Sequence, residues 1–276
     1  MSSVETEERE ALDAAAGGAA KRAYVRRIFS EIAPSYDLLN HLLSLNIDRG
    51  WRARALEALA LEKRPHGTFL DICAGTLDVS AEVARAKGFE GSVIAVDFAE
   101  PMLRRGREKT RGLRVYPLVA DALQLPFASG SADGIIVAFG ARNFDALDTA
   151  LRELARVLSP GARLVILELS TPPSRLVRLG YHLYFHRVLP FVGRLVSGHR
   201  TAYSYLPASV ANFPPVAELA RRMERAGFER VEFRTLTMGV AAVHWGERAG
   251  TPTSAPVPGG GSPSRSPSDS AASSGG

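Results

Sequence analysis

The sequence has only one cysteine, Cys73, among its 276 residues. A single thiol excludes a disulfide framework and a zinc site built from several cysteines, so we expect a reducing compartment and no resident metal. No stretch approaches the roughly 18 uncharged apolar residues that a membrane-spanning helix requires. The first ten residues are acidic and contain no apolar run, so we expect no secretory signal. These absences together indicate a protein of the cytoplasm.

Apolar side chains, by contrast, are plentiful. Hydrophobic residues make up 46% of the chain, enough for the core of one large globular domain or, by length alone, of two small ones. The formal net charge is +5. This mild excess is compatible with an anionic surface as a partner, but it is too small to indicate binding of nucleic acid.

The sequence is organised around the stretch from Thr68 to Asp78. A short apolar run is followed by small residues and then by apolar positions at helical spacing, which predicts a strand, a tight turn and a helix. In an open α/β sheet such a turn lies where ligands bind. The next predicted strand ends at Asp97, 22 residues after Gly75, a spacing typical of an acid that accepts hydrogen bonds from a ribose. Alternatively, Asp97 caps the following helix.

Strands and helices alternate along the rest of the chain. Strands are predicted at 68–72, 92–97, 113–119, 135–139 and 163–169, and helices at 99–109, 145–158 and 215–226. Two final runs, 230–236 and 240–245, predict an antiparallel hairpin. Because strand–helix alternation implies a mostly parallel sheet, we expect a Rossmann-like α/β fold whose seven-stranded sheet ends in that hairpin.

The two ends of the chain differ in composition from the rest. Residues 1–19 are acidic and then rich in alanine and glycine, and we interpret them as a disordered leader. Residues 249–276 consist mainly of glycine, serine, proline and alanine and cannot bury a core, which predicts a disordered tail. We expect one domain over residues 20–248.

Three short helical stretches precede the first predicted strand. Pro34 separates a basic amphipathic stretch from a second one over 35–45, and Asp48 is expected to cap the third. Helices in this position form a lid over a site at the sheet edge or simply pack on that edge, and the pattern favours neither.

Residues 174–196 mix apolar and aromatic side chains with four arginines, namely Arg175, Arg178, Arg187 and Arg194. This composition is typical of an apolar channel or of an interfacial helix on anionic lipid. It is equally typical of core packing in which the arginine stems lie along apolar surface. Both interpretations stay open.

Four further motifs are spread along the chain, at Ile28–Asn40, Phe139–Asn143, Ser204–Pro214 and Thr237–His244. Each resembles a segment of the quinone-biosynthesis C-methyltransferases, the ubiquinone/menaquinone family that uses S-adenosylmethionine (SAM). The resemblance runs from about Val25 to Arg248. It implies a Rossmann-like class I SAM-dependent methyltransferase with N-terminal lid helices.

The resemblance also implies where SAM binds. Carried over by position, the contacts are Gly75 and Thr76 in the first loop, Asp97 at the ribose, and Asp121 and Ala122 beside the adenine. The chemistry agrees, because Thr76 offers a hydroxyl, the two acids accept hydrogen bonds and Ala122 adds a backbone donor. If no cofactor binds, Thr76 is simply a turn residue, Asp97 is a helix cap, and Asp121 and Ala122 form a second turn.

One position in that loop departs from the family pattern. Leu77 stands where the family usually has glycine, and Ala74 stands where it often does. A leucine at this position can crowd the methionine part of the cofactor or restrict the backbone.

The reaction implied by the resemblance is transfer of the SAM methyl group to a ring carbon of a prenylated demethylmenaquinol. We expect Arg142, Asn143 and Tyr36 at the reacting ring. Arg142 is suited to stabilise a ring phenolate or to polarise a water, and Asn143 to hold a quinol oxygen. The alternative for Arg142 is a structural ion pair with a neighbouring aspartate, namely Asp37, Asp145 or Asp148.

The prenylated substrate implies peripheral, transient contact with the inner face of the cell membrane. No nucleic acid is expected as a partner, and a homo-oligomer stays open. Three other functions also stay open: methylation of a benzoquinol in the ubiquinone pathway, another SAM-dependent methylation of a small molecule, and a non-catalytic assembly subunit that kept the fold. Leu77 is the best support for the last.

Overall fold

The computed structural model describes residues 3–16, 19–34, 36, 46–183 and 200–250. Seven strands form one sheet: β1 Thr68–Ile72, β2 Ser92–Asp97, β3 Val115–Val119, β4 Ala132–Ala138, β5 Leu158–Leu169, β6 Phe228–Leu236 and β7 Ala241–Arg248. Their order is β3-β2-β1-β4-β5-β7-β6. Strands β1 to β5 are parallel, whereas β7 runs antiparallel to both β5 and β6. The predicted fold class, including the terminal hairpin, is confirmed.

Helices cover the sheet on both sides. They are α1 Ser3–Ala16, α2 Ala19–Ile32, α3 Ile47–Leu59, α4 Asp78–Ala84, α5 Glu100–Gly106, α6 Leu147–Val157, α7 Arg175–Leu183, α8 Arg200–Ala211 and α9 Val216–Arg225. Single 3₁₀ turns lie at Leu61–Lys63, Arg107–Thr110, Ala141–Asn143 and Thr237–Gly239. Among these described helices, none combines the length and apolar character needed to cross a bilayer.

The core has two halves because side chains alternate across each strand. On one face, Leu70 and Ile72 of β1 pack with residues of α6 such as Leu151. On the other face, Phe69 packs in a cluster that includes Trp51 of α3. Burial on both faces explains why the central strands are continuous apolar runs.

The order of the strands places a crevice at the centre of the sheet. Strand β1 pairs with β2 on one side and with β4 on the other, so the chain reverses the direction in which it builds the sheet at β1. In open α/β sheets ligands bind outside the carboxyl ends of the strands at such a point. The turn after β1 therefore lies at the position that the sequence predicts for a site.

The prediction of a disordered leader is wrong for most of residues 1–19. Helix α1 spans Ser3–Ala16, and Ala11, Ala14 and Ala15 are buried against residues of α2 and α8. The three alanines recur at helical spacing, and the side-chain amide of Asn212 donates a hydrogen bond to the carbonyl of Ala15 at 3.1 Å. A face of small residues becomes an apolar stripe only when a partner helix is present, which composition alone does not reveal.

The prediction that Asp48 caps α3 is also wrong. Asn46 occupies the N-cap position with a left-handed backbone, and Asp48 lies in the first turn. There it is buried and accepts a hydrogen bond from Arg52 at 2.5 Å. The predicted helical stretch at 35–45, apart from Tyr36, lies outside the described residues, as do 184–199 and 251–276.

Candidate active site

The turn between β1 and α4 has a strained, compact backbone. Cys73, Gly75 and Leu77 all have positive φ angles, of 60°, 52° and 66°. The amide of Ala74 donates to the carbonyl of Val96 in β2 at 3.0 Å. Alternating left-handed residues fold the chain tightly at the end of the strand, so its backbone faces the crevice.

Close packing against α5 and against the segment after β4 holds this turn in place. A Cβ atom added at Gly106, in α5, would lie 2.3 Å from the carbonyl oxygen of Thr76. A Cβ atom added at Gly140, after β4, would lie 2.3 Å from the Cβ of Cys73. A side chain at either position would clash, because the backbone of Thr76 fills the space at Gly106 and the side chain of Cys73 fills it at Gly140.

Asp97, at the end of β2, ties the turn to the neighbouring strand. Its carboxylate accepts one hydrogen bond from the amide of Gly75 at 2.9 Å and another from the amide of Ala99 at 2.8 Å. Burial raises the pKa of Asp97, and the hydrogen bonds from Ala99 and Gly75 partly oppose that rise. The carboxylate thus fixes both the turn and the start of the next helix.

A pocket of about 440 Å³, part of it open to solvent, lies beside Asp97. Its wall is mainly apolar and carries acids at its edge. The lining residues include Ile72, Val96, Asp97, Phe98, Asp121, Ala122 and Phe144. Apolar walls with a few polar groups are typical of a small-molecule site.

The structure brings Asp97, Asp121 and Ala122 together in this pocket, as the sequence predicts for a nucleoside site. The Oδ1 atom of Asp121 accepts a hydrogen bond from the amide of Leu123 at 2.9 Å. Its Oδ2 atom forms an ion pair with Arg22 of α2, which also lines the pocket. Arg22 was not predicted, because nothing in its local sequence places it beside a residue about 100 positions away.

Leu77 does not line the pocket. Its side chain is fully buried beneath the turn, in the cluster that contains Leu103. The expected restriction of the backbone is present, because Leu77 has a left-handed conformation that costs a non-glycine residue about 1–2 kcal/mol. Crowding of the methionine part of the cofactor by Leu77 stays a prediction.

Arg142, in the 3₁₀ turn after β4, is paired with Glu168 at the end of β5. The Nη1 atom of Arg142 donates to Oε1 of Glu168 at 2.6 Å and to the carbonyl of Phe139 at 2.6 Å. The amide of Arg142 donates to Oε2 of Glu168 at 3.2 Å. The arginine is 9% exposed and the glutamate 1%. The structural alternative of an ion pair is therefore correct in kind but wrong in partner.

The Nε atom of this guanidinium is buried and has no hydrogen-bond partner within the described residues. Three tyrosines, Tyr36, Tyr181 and Tyr205, are close enough to interact electrostatically with Arg142 or with the pair. Burial is the largest single influence on the pKa of Arg142 and tends to lower it, but the combined effects of Glu168, Tyr36 and Tyr205 exceed it and the pKa is raised. We call these five residues, Arg142, Glu168, Tyr36, Tyr181 and Tyr205, the arginine cluster.

The two other predicted reaction-site residues lie next to this cluster. Asn143 lines the pocket, and its Oδ1 atom accepts a hydrogen bond from the hydroxyl of Tyr205 at 3.1 Å. Tyr36 packs edge-on against Phe29 with ring centroids 5.9 Å apart, and its ring comes within 3.8 Å of the Cβ position of Gly75. Tyr36 therefore bridges the turn after β1 and the arginine cluster.

Helix α2 closes over the edge of the sheet. The ammonium group of Lys21 donates to the carbonyl of Arg142 at 2.8 Å, while the next residue, Arg22, pairs with Asp121. Burial lowers the pKa of Lys21, and Asp145 partly opposes this effect. Of the two arrangements that the sequence left open for the N-terminal helices, α2 adopts the lid.

Glu168 was missed by the sequence analysis, although a signal for it exists. It falls inside the predicted strand at 163–169, whose carboxyl end meets that of β4.

His244 has a structural role. Its Nε2 atom lies 2.9 Å from the carbonyl oxygen of Val216, and burial lowers its pKa to about 4.

The model of the ubiE/COQ5 methyltransferase family matches residues 18–248 of the chain. The chain belongs to this family. A demethylmenaquinone methyltransferase of Thermus thermophilus is 52% identical over 224 residues, which are 80% of this chain and all of that protein. The ubiquinone/menaquinone biosynthesis C-methyltransferase UbiE of Geobacter sulfurreducens is 41% identical and covers 81% of this chain and 88% of its own.

The fold also matches that of a solved SAM-dependent methyltransferase from Thermotoga maritima. The TM-score is 0.55 with 20% identity, over 80% of this chain and 98% of the other, so this likeness concerns the fold alone. Membership of the family makes the chain a SAM-dependent methyltransferase. The pocket fits that cofactor, because its mainly apolar wall carries the carboxylates of Asp97 and Asp121, which can accept hydrogen bonds.

Proposed function

We propose that this protein transfers the methyl group of SAM to a ring carbon of a prenylated demethylmenaquinol and so produces menaquinol. The names of its relatives in Thermus thermophilus and other bacteria support the choice of substrate. The single observation that carries the proposal is the buried Arg142 guanidinium, next to the pocket residue Asn143, whose Nε atom has no hydrogen-bond partner among the residues that the structure describes. A buried donor without a partner is costly, and a ligand oxygen would satisfy it.

The turn after β1 and the acids of the pocket would hold SAM. Asp97 would accept hydrogen bonds from the ribose hydroxyls with the lone pairs that Gly75 and Ala99 leave free. Asp121 and the amide of Ala122 would hold the adenine edge. Thr76, which is 2% exposed, would contribute through the backbone of the turn.

The arginine cluster would hold the quinol ring. Arg142 can donate its Nε hydrogen to a ring oxygen, and its positive charge stabilises that oxygen as a phenolate. Loss of the hydroxyl proton makes the neighbouring ring carbon nucleophilic. Asn143 can bind the second ring oxygen through its amide group, while Tyr36 covers the ring.

The bound cofactor supplies a methyl group that is already electrophilic, so the protein needs no acid to activate it. The chain's own residues orient the ring carbon and exclude water, which can supply most of the acceleration. Arg142 stays protonated, because pairing with Glu168 raises its pKa, so it acts as a fixed charge. A water held beside it can accept the ring proton in the final step.

Replacing Arg142 by alanine tests this assignment. We expect turnover of demethylmenaquinol to fall at least about 1,000-fold while the dissociation constant of SAM changes only a few-fold, because Arg142 does not line the cofactor pocket. Arg163→Ala is the matched control, since it breaks a second arginine–glutamate pair, with Glu247, at the opposite end of β5. Full activity of the Arg142 variant would remove this residue from the mechanism.

The quinone itself needs a direct assay. Demethylmenaquinol should be methylated faster than the benzoquinol precursor of the ubiquinone pathway, and the reverse ratio would assign the protein to that pathway. Absence of any heat of SAM binding by the folded chain would instead support a non-catalytic subunit. We further propose that the protein meets its prenylated substrate at the inner face of the cell membrane without spanning it.

A further inference from the structure

Helix α7 carries an exposed apolar stripe. Leu176, Leu179 and Leu183 are 80%, 69% and 60% exposed. At about 100° per residue, these three positions lie within roughly 60° of one another around the helix axis and span about 10 Å along it. Large exposed apolar patches mark sites of interaction rather than ordinary surface.

A turn of the terminal hairpin lies next to the start of this stripe. Gly239 approaches Pro173 so closely that a Cβ atom added to the glycine would lie 2.6 Å from the proline ring. The neighbouring residue, Met238, is 71% exposed. The apolar surface therefore consists of three leucines from α7 and a flexible methionine from the turn beside it.

The opposite side of α7 faces the arginine cluster. Tyr181 lies about 180° around the axis from the centre of the leucine stripe. Burial raises the pKa of the Tyr181 phenol, which also feels the charges of Arg142 and Glu168. Helix α7 is thus the partition between the proposed quinol site and the exposed leucines.

The net charge of the segment that contains α7 indicates which kind of partner binds this apolar surface. Residues 169–217 contain five arginines and no acidic residue. Since the whole chain has 34 basic and 29 acidic residues, the remainder is balanced at 29 of each, and the entire net charge of +5 falls in this segment. A second copy of the chain would bring two positive segments together, whereas an anionic lipid surface attracts them.

We propose that the leucine stripe of α7 and Met238 insert into an anionic lipid bilayer, with the exposed Arg175 at the headgroups and the quinol site directly behind the helix. The proposal rests on the proposed function, because a prenylated substrate makes the bilayer the place where it is encountered. In this orientation the ring enters the arginine cluster while the prenyl tail stays among the lipid chains. Three leucines and nearby basic side chains supply the two signals that stable interfacial binding requires.

Flotation of the full chain with vesicles tests the surface without any substrate. We expect binding to phosphatidylglycerol/phosphatidylcholine vesicles, and much weaker binding to pure phosphatidylcholine. Combined Leu176→Ser, Leu179→Ser and Leu183→Ser should lower the partition coefficient at least about 100-fold. Arg175→Glu should lower it about tenfold on the anionic vesicles only.

Leu12→Ser is the matched control, because Leu12 is 55% exposed on α1, and it should bind vesicles like the native chain. Equal binding by the triple variant would overturn the proposal. So would light scattering that shows a native dimer dissociated by the triple substitution, or a lower unfolding temperature of the variant with unchanged flotation. Native binding to vesicles without methylation of embedded demethylmenaquinol would support the surface and refute the proposed function instead.

Discussion

Glu168→Gln changes one charge in a buried ion pair and little else. The glutamate accepts hydrogen bonds from the side chain and amide of Arg142 and, at 2.8 Å, from the amide of Leu169. Removing one partner of a buried pair usually costs about 3–5 kcal/mol, because the other charge is left uncompensated. Glutamine keeps one acceptor oxygen, so we expect the free energy of unfolding to fall by about 2–3 kcal/mol.

The effect on catalysis should be larger than the loss of stability suggests. Without the carboxylate, the guanidinium of Arg142 is no longer held in one orientation, and we expect kcat to fall about 100-fold, or roughly 2.7 kcal/mol in the barrier. The dissociation constant of SAM should change only a few-fold, since Glu168 does not line the cofactor pocket. Loss of a nearby negative charge also favours the quinol phenolate. The acid limb of the pH–rate profile should therefore move about one unit lower.

Single-turnover methylation of a short-tailed demethylmenaquinol, measured from acid to neutral pH, gives the rate and its pH profile. Thermal unfolding of the same variant gives the change in stability. Glu247→Gln is the control, because Glu247 pairs with Arg163 at 3.3 Å and Arg230 at 2.6 Å at a partly exposed position. It should cost about 1 kcal/mol or less and leave the pH profile unchanged. A folded Glu168 variant with native kcat and native pH profile would refute the positioning role of the glutamate.

Three further predictions concern β1 and the turn that follows it. Gly106→Ala should weaken SAM binding by calorimetry at least about tenfold, because its Cβ would meet the Thr76 carbonyl, while Gly50→Ala, whose Cβ meets nothing within 4 Å, should not. Asp71 lies in β1, and its carboxyl group accepts a hydrogen bond from the hydroxyl of Ser80 at 2.5 Å. Burial outweighs this bond and raises the pKa of Asp71 to about 7 from its ordinary 3.8, so the folded chain binds a proton between about pH 4 and pH 7 that the unfolded chain has lost. Stability from this group therefore falls as pH rises through that window, by at most about 4 kcal/mol, and urea unfolding of Asp71→Asn should lack this slope; an unchanged slope contradicts the assignment. Leu77→Gly relieves about 1 kcal/mol of backbone strain but removes a fully buried side chain, so it should lower the free energy of unfolding by about 2–3 kcal/mol. The affinity for SAM should be nearly unchanged, and tighter binding would show that Leu77 does crowd the cofactor.

Local patterns were sufficient for the strands of the sheet and for the turn after β1. The predicted limits of β2, Ser92–Asp97, agree with the structure, because a strand between two turn signals is defined by its own residues. The position of Asp121 beside the cofactor was implied by the resemblance to the family, and the structure places it with Asp97 in the lining of one pocket. The order of the strands, which places the crevice beside β1, was not predicted.

Contacts between distant segments could not be predicted in the same way. Where the structure describes burial in α1, at residues 9–15, the buried side chains are alanines, and they pack partly against α8, almost 200 residues later. The pairing of Arg22 with Asp121 depends on how α2 lies over the sheet. Glu168 lies between these two cases. The register of β4 and β5 pairs Ala138 with Leu167, so it also places Glu168 near the segment that follows β4.

At Asp97 and Arg142 the sequence leaves a structural and a functional role as alternatives, but the two roles are compatible in the folded site. Asp97 accepts hydrogen bonds from the amides of Gly75 and of Ala99, just before the following helix, yet its carboxylate lines the pocket with lone pairs to spare. Arg142 is fixed by Glu168, yet its Nε atom has no hydrogen-bond partner in the described part of the chain. A group that must meet a ligand at a defined distance has to be held by other contacts first, because a mobile side chain would lose orientation on each encounter. Structural contacts at a residue of this pocket are therefore what a binding role requires.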